Sequence, residues 1–177
     1  LFYGNNLSNI LCEICSQKNR NTIFGFEVSN PTHYGVIEFD KNDNIVAIEE
    51  KPKKPKSNYA VTGLYFYDNT VCERARLLKP SERGELEITD LNNSYIRDDS
   101  LDVKKLGRGF AWLDTGTHNN LLEASHFVSI VEKRTGIKIG CIEEIAFNNS
   151  WIDELEIKKS IDLHKGTNYG EYLIKYL

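Results

Sequence analysis

The 177-residue sequence has no methionine, only four cysteines and four histidines, no excess of basic charge and no apolar run long enough to cross a membrane. Each shortage removes a class of reading. Scattered cysteines without a signal-like hydrophobic stretch imply no disulfide framework and point to a reducing, cytoplasmic setting with no membrane partner. Twenty-two Lys and Arg against 26 Asp and Glu give a net charge of −4, so no global cationic field exists for a nucleic acid polymer. A local cationic pocket for a phosphorylated small molecule stays compatible with that balance. His33, His118, His126 and His164 offer no i, i+4 pair with a catalytic Glu, and no Ser-His or Cys-His arrangement is evident. The lack of methionine in a chain that opens on Leu1 leads to the expectation that it is an excerpt of a longer one.

With 40% hydrophobic and 27% charged residues, the composition is that of a soluble globular domain or a well-filled part of one. "NNLSNILCEICSQKN" sets Leu7, Ile10, Leu11 and Ile14 on one helical face, with Asn5 or Asn6 as N-cap. "NTIFGFEVS", "YGVIEFD" and "IVAIEE" read as strands, the last two as a hairpin through "KNDN". The cationic loop "KPKKPKSN" leads to a long strand, "YAVTGLYFYD", and then to a helix from about Asn69 to Leu78 that stops at Pro80. A second helix carries Ile88, Leu91 and Tyr95 on one face, "LDVKKLG" and "FAWLDT" are strands, and "HNNLLEASHFVSIVEKRTG" is a helix closed by Gly136. "CIEEIAFNN", "DELEIKKSIDL" and "YGEYLIKYL" read as short helices. Strands alternating with helices predict a mixed α/β sheet layered with helices and followed by a helical appendage.

Several positions carry chemistry. Cys12 and Cys15 have the spacing of a thiol or zinc motif, yet no second pair exists and both fall beside the apolar stripe of a helix, which favours a bland role. Gly35 opens a strand and allows close backbone approach of a ligand, although a simple bend explains it equally. Glu50 and Lys51 end a strand, where α/β proteins place ligand contacts; a Glu accepts paired sugar hydroxyls and a Lys supplies a point charge for phosphate. Arg83 precedes a helix start, where guanidinium and free N–H groups together favour an anion. Asp114 lies between an aromatic strand and a Thr-Gly-Thr turn, and reads either as a helix cap or as a metal ligand. Thr115 and Thr117, closer to the helix, are better placed to cap.

The ordered set "YGV", "EEKP", "NYAVTGLYFYD", "RGELEITD" and "WLDTGT" closely resembles the glucose-1-phosphate thymidylyltransferases of the sugar-nucleotidyltransferase superfamily, over essentially the whole chain. The resemblance implies a Rossmann-like mixed sheet flanked by helices, with 1–140 as the sugar-phosphate-binding and metal-binding part and 141–177 as a C-terminal helical appendage. It implies that Gly35, Glu50 and Val61 meet the sugar, that Lys51 and Arg83 hold its phosphate, and that Asp114 is one of two carboxylates on Mg²⁺. The implied reaction joins dTTP to glucose-1-phosphate and releases pyrophosphate and dTDP-glucose, for dTDP-rhamnose or another deoxysugar. It also implies a homotetramer with a regulatory nucleotide site that includes Tyr3, Ser8 and Glu144. The family's glycine-rich G-x-G-T-R-L loop, its downstream Lys and its G-D-N motif are not found in this sequence. The expectation is therefore a C-terminal part of the enzyme that is inactive alone. A different base or sugar preference, and a non-catalytic sugar-phosphate-binding or oligomerisation fragment, remain as alternatives.

Overall fold

A computed structural model describes residues 1–17 and 21–177. Lys18 and Asn19, at the end of the first segment read as helix, lie outside the described residues. The chain divides into two compact units, Leu1–Asp114 and Thr115–Leu177.

The first unit contains strands β1 (Phe2–Gly4), β2 (Asn21–Glu27), β3 (Gly35–Phe39), β4 (Ile45–Glu50), β5 (Tyr59–Phe66), β6 (Leu101–Leu106) and β7 (Phe110–Trp112). Its helices are α1 (Leu7–Ser16), α2 (Val71–Arg76) and α3 (Ile88–Arg97). Five strands form a sheet in the order β4-β3-β5-β2-β6, and β1 pairs with β7 in a separate ribbon. Within the five, β2 runs parallel to β6 and the other pairings are antiparallel, so the expected mixed sheet is what forms. The sequence reading missed β1: three residues carry too little alternation to signal a strand, and only the distant partner β7 defines it.

Successive residues of β2 point to opposite faces, and this sets the layers. Ile23 packs with Ile37, Ile48 and Leu101 of the sheet and with Leu91 and Tyr95 of α3. Phe24 packs the other way, with Ile14 of α1 and Leu106. Helices thus cover both faces, and each fully buried side chain such as Ile23 or Ile37 contributes about 1.5–3 kcal/mol. On α3 the buried residues are Thr89, Leu91, Asn92 and Tyr95, whereas Ile88, expected on that face, is 41% exposed. The helix is turned so that two polar residues, Thr89 and Asn92, face inward, because each has a hydrogen-bond partner there.

Register also breaks once between β2 and β5, from Ile23↔Tyr65 to Gly25↔Val61. Phe24 therefore faces Thr62, Gly63 and Leu64. Gly63 takes a φ of 80°, favoured by glycine, and the Thr62 hydroxyl donates to the Phe24 carbonyl at 3.1 Å.

The second unit is helical: α4 (His118–Thr135), α5 (Ile142–Asn148), α6 (Glu154–Leu163) and α7 (Asn168–Leu173). The Thr117 hydroxyl accepts from the Asn120 N–H and caps α4, and Gly136 closes it at a φ of 68°. Asp153 and Glu156 form a capping box on α6. Cys141, Tyr172 and Leu173 form its buried centre. The unit begins at Thr115, and α4 is tied to the segment that follows it. Glu132 accepts from Lys138 at 2.7 Å and from the Ile139 N–H at 2.9 Å.

Two polar devices in the first unit lead to stability predictions. Asn93 of α3 receives the Ile48 N–H at 2.9 Å and donates to the Ile48 carbonyl at 2.8 Å, so a side chain pairs the outer edge of β4 as a strand would. Replacing it by Leu should cost about 1–3 kcal/mol in chemical denaturation; an unchanged midpoint would show that water replaces the amide fully. Buried Asn21 binds Asp68, whose carboxyl is held below its ordinary range by the Thr70 hydroxyl first, then the Thr70 N–H, Asn21 and Tyr95, against the opposing effect of burial. A carboxylate with a lowered folded pKa contributes fully above its unfolded pKa and loses that contribution as pH falls through the folded value. Asp68→Asn should melt below the wild type near neutral pH, equivalent to about 1–2 kcal/mol, with the gap closing only as pH falls below the ordinary carboxylate range. A gap independent of pH would count against charge as the cause.

Candidate functional site

The hairpin of β3 and β4 places Gly35 opposite Glu50, at the end of both strands. A Cβ on Gly35 would lie 3.2 Å from Glu50 Oε2 and 3.3 Å from Thr89 Oγ1, so glycine leaves room for the pair that those two atoms form. Thr89 Oγ1 donates to Glu50 Oε2 at 2.7 Å, fixing the carboxylate by a charge-assisted bond from α3. Next along the chain, Lys51 adopts a φ of 45°, an uncommon conformation for a side chain with Cβ, while its N–H donates to the Tyr34 carbonyl at 3.0 Å. Its ammonium lies 3.8 Å from Glu50 Oε1.

β3 and β5 pair at Val36↔Ala60. One register step further would set Gly35 against Val61, and among the described residues no such pairing forms. Gly35 pairs instead with Glu50 of β4, and Val61 with Gly25 of β2. The Val61 side chain packs against the core.

Arg83 lies in a turn that precedes α3. The Ser81 N–H donates to the Glu85 carbonyl at 2.8 Å, Gly84 takes a φ of 76°, and its N–H donates to the Ser81 carbonyl at 2.8 Å. The guanidinium faces three carboxylates: Glu85 at 2.9 Å, Glu87, the N-cap residue of α3, at 3.6 Å and Glu50 at 4.0 Å, so it lies beside the helix start. Gly35, Glu50, Lys51 and Arg83 thus come to one place.

Sequence reading missed several residues of this place. Thr89 orients Glu50, and Glu87, held by the Ser81 hydroxyl at 2.9 Å, faces Arg83. Tyr65 of β5 has its phenol pKa raised by burial first and then by the charge of Glu50. Tyr65 stacks on Tyr67, and Tyr67 on Tyr95. The signal for Thr89 was a polar residue two before Leu91 on a helix that packs on the sheet; its burial was hidden because Ile88 completes a more apolar face.

The aromatic strand β7 reaches the same end of the unit. The Trp112 ring meets that of Tyr34 at 5.2 Å, edge to face, and Tyr34 in turn accepts from Lys51. Asp114 follows Trp112 by two residues and is half-buried. Thr117, not Asp114, caps α4. Among the described residues no group of three or more His, Cys, Asp or Glu could hold a metal ion. Magnesium is commonly held by one or two carboxylates plus substrate phosphates, so Asp114 fits as one ligand of a shared site and not as an all-protein cage. Tyr3 lies on β1 and Ser8 on α1, both in the first unit; Glu144 lies on α5 in the second, accepting from the Tyr172 hydroxyl at 2.5 Å. Cys12 and Cys15 are both exposed on α1, and His118 is the first residue of α4.

Residues 1–130 match the family model of the nucleotidyl transferases. Over all 177 residues the chain is 49% identical to a curated glucose-1-phosphate thymidylyltransferase of Neisseria meningitidis and 48% identical to one of Mycolicibacterium smegmatis, covering 62% and 61% of them. It therefore spans about six tenths of the length of these relatives. A solved structure from Bacillus anthracis, described as a glucose-1-phosphate thymidylyltransferase in complex with a sucrose, superimposes with a TM-score of 0.62 at 39% identity, over 72% of this chain and 50% of that one. A UDP-glucose pyrophosphorylase in its apo form gives a TM-score of 0.63 at 21% identity, over 76% and 52%, a likeness of fold. The converging strand-end residues and these matches agree that the chain belongs to the nucleotidyl transferase family.

Proposed function

We propose that this chain supplies the sugar-phosphate-handling part of a glucose-1-phosphate thymidylyltransferase, which makes dTDP-glucose from dTTP and glucose-1-phosphate for deoxysugar synthesis such as that of dTDP-rhamnose. The observation that carries the proposal is the meeting of Gly35, Glu50, Lys51 and Arg83 at one end of the sheet, in a chain 49% identical to a curated enzyme of that name.

In this reading the Gly35 N–H and the Val61 carbonyl meet sugar hydroxyls, and Glu50, aimed by Thr89, accepts hydroxyl hydrogens. Lys51 and Arg83 neutralise the sugar's phosphate. A phosphate oxygen then attacks the α-phosphorus of dTTP, the bond to the bridging oxygen of the β-phosphate breaks, and pyrophosphate leaves. Both reactants are anions, so positioning and charge neutralisation supply most of the rate enhancement. Asp114 would be one protein ligand of Mg²⁺, which when bound offsets phosphate charge. No side-chain nucleophile or base is required.

The same reading includes cytoplasmic enzyme in a homotetramer. Free cysteines suit the compartment, and in the second unit Ile142, Trp151 and Leu163, at 75%, 73% and 81% exposure, offer apolar surface to bury.

Two outcomes test the reading in a chain of the relatives' full length that carries this segment. Glu50→Gln and Arg83→Gln should each raise KM for glucose-1-phosphate about tenfold while KM for dTTP stays within about twofold. Equal shifts for both substrates, or a nucleoside triphosphate other than dTTP preferred in a four-way assay, would reject it. Asp114→Asn should lower kcat about 100-fold with little change in melting temperature; parallel loss of both would make Asp114 a structural residue.

A further inference from the structure

We propose that Glu85 determines specificity at the phosphate subsite by standing in for the phosphate on Arg83. This rests on the reading that Lys51 and Arg83 receive the sugar's phosphate. In the structure two cations, Lys51 and Arg83, face three carboxylates, Glu50, Glu85 and Glu87, so an incoming anion must displace one of them.

The three carboxylates differ in how firmly they are held. Glu50 is 26% exposed and fixed by the Thr89 hydroxyl at 2.7 Å. Glu87 is 14% exposed and fixed by the Ser81 hydroxyl at 2.9 Å. Glu85 is 61% exposed and makes the shortest contact, 2.9 Å to Arg83 NH2, which is its ion-pair partner among the described residues. It alone can swing into water at the small expense of an exposed ion pair. The turn supports this use: the Glu85 main chain is pinned by the Ser81 N–H, so the side chain can leave while the guanidinium stays in place.

The exchange has a chemical consequence. A phosphate monoester dianion brings two negative charges where the carboxylate had one, and it offers Arg83 a bidentate face. A monoanion or a neutral hydroxyl gains no such advantage over Glu85 and is turned away. Glu85 therefore lowers affinity for every anion and leaves the dianion as the one that wins the exchange.

Calorimetric titration, with glucose-1-phosphate, of a chain of the relatives' full length that carries this segment tests this. Glu85→Gln should tighten binding about two- to fivefold, the range of an exposed ion pair. Glu73→Gln, which removes an equal charge from α2, should leave it unchanged. In an Arg83→Gln background the Glu85→Gln gain should vanish, as a double-mutant cycle requires of a pair that acts together. No gain in Glu85→Gln, an equal gain in Glu73→Gln, or a gain that survives without Arg83 overturns the role of Glu85 while leaving the phosphate subsite intact. Failure of both the wild type and Glu85→Gln to bind removes the subsite and the inference together.

Discussion

The arrangement at the strand ends depends on one constraint: an ionised carboxylate, that of Glu50, must be held in a fixed direction beside the sheet. Water would hydrate that charge freely, and partial burial makes it costly unless the lone pairs are engaged. The bond from Thr89 engages one oxygen, and Lys51 and Arg83 approach the other. Gly35 is bare because a Cβ there would crowd the bond. The inward turn of α3, which exposes Ile88 and buries Thr89, stems from the same need.

That constraint also explains the polar content behind the site. Thr89 and Asn92 lie one helical turn apart on α3; Thr89 reaches Glu50, and Asn92 accepts from the Tyr67 hydroxyl at 2.6 Å. Tyr67 stacks between Tyr65 and Tyr95, and the Arg74 guanidinium lies 4.1 Å from the Tyr95 ring centre. Burial raises the phenol pKa of all three tyrosines, so they stay neutral donors through the physiological range.

A nucleotidyl transferase has little covalent work to do with its side chains, and the absence of a nucleophile-base pair in the sequence agrees with that. What the fold supplies is placement of charge. Two cations and three carboxylates within 4 Å contacts form a set whose balance an incoming phosphate can tip. The strained backbone at Lys51 and the glycine turn at Gly84 both lie where the cations are presented, consistent with backbone conformation being spent on aiming them.

Much of this was legible in the amino-acid order. Period-2 runs and capping residues specified β2 to β7 and α1 to α7 closely, because local hydrophobic patterning and turn chemistry are properties of short segments. The positions Gly35, Glu50, Lys51 and Arg83 were legible as motifs, and Thr117 as the better helix cap than Asp114. The strand β1, the break in register at Gly63 and the inward rotation of α3 were not. Each depends on a partner distant in sequence: β7 for β1, Phe24 for Thr62, Glu50 for Thr89. Arg83 shows the division most clearly. Its charge and its neighbours were written in "RGELEITD", but that it faces three carboxylates at once was decided by the turn at Ser81 and by a strand end more than thirty residues earlier. Local sequence determines which segments fold and what charges they carry; only tertiary packing decides which charges meet, since a hydrogen bond or ion pair is set by distance in space.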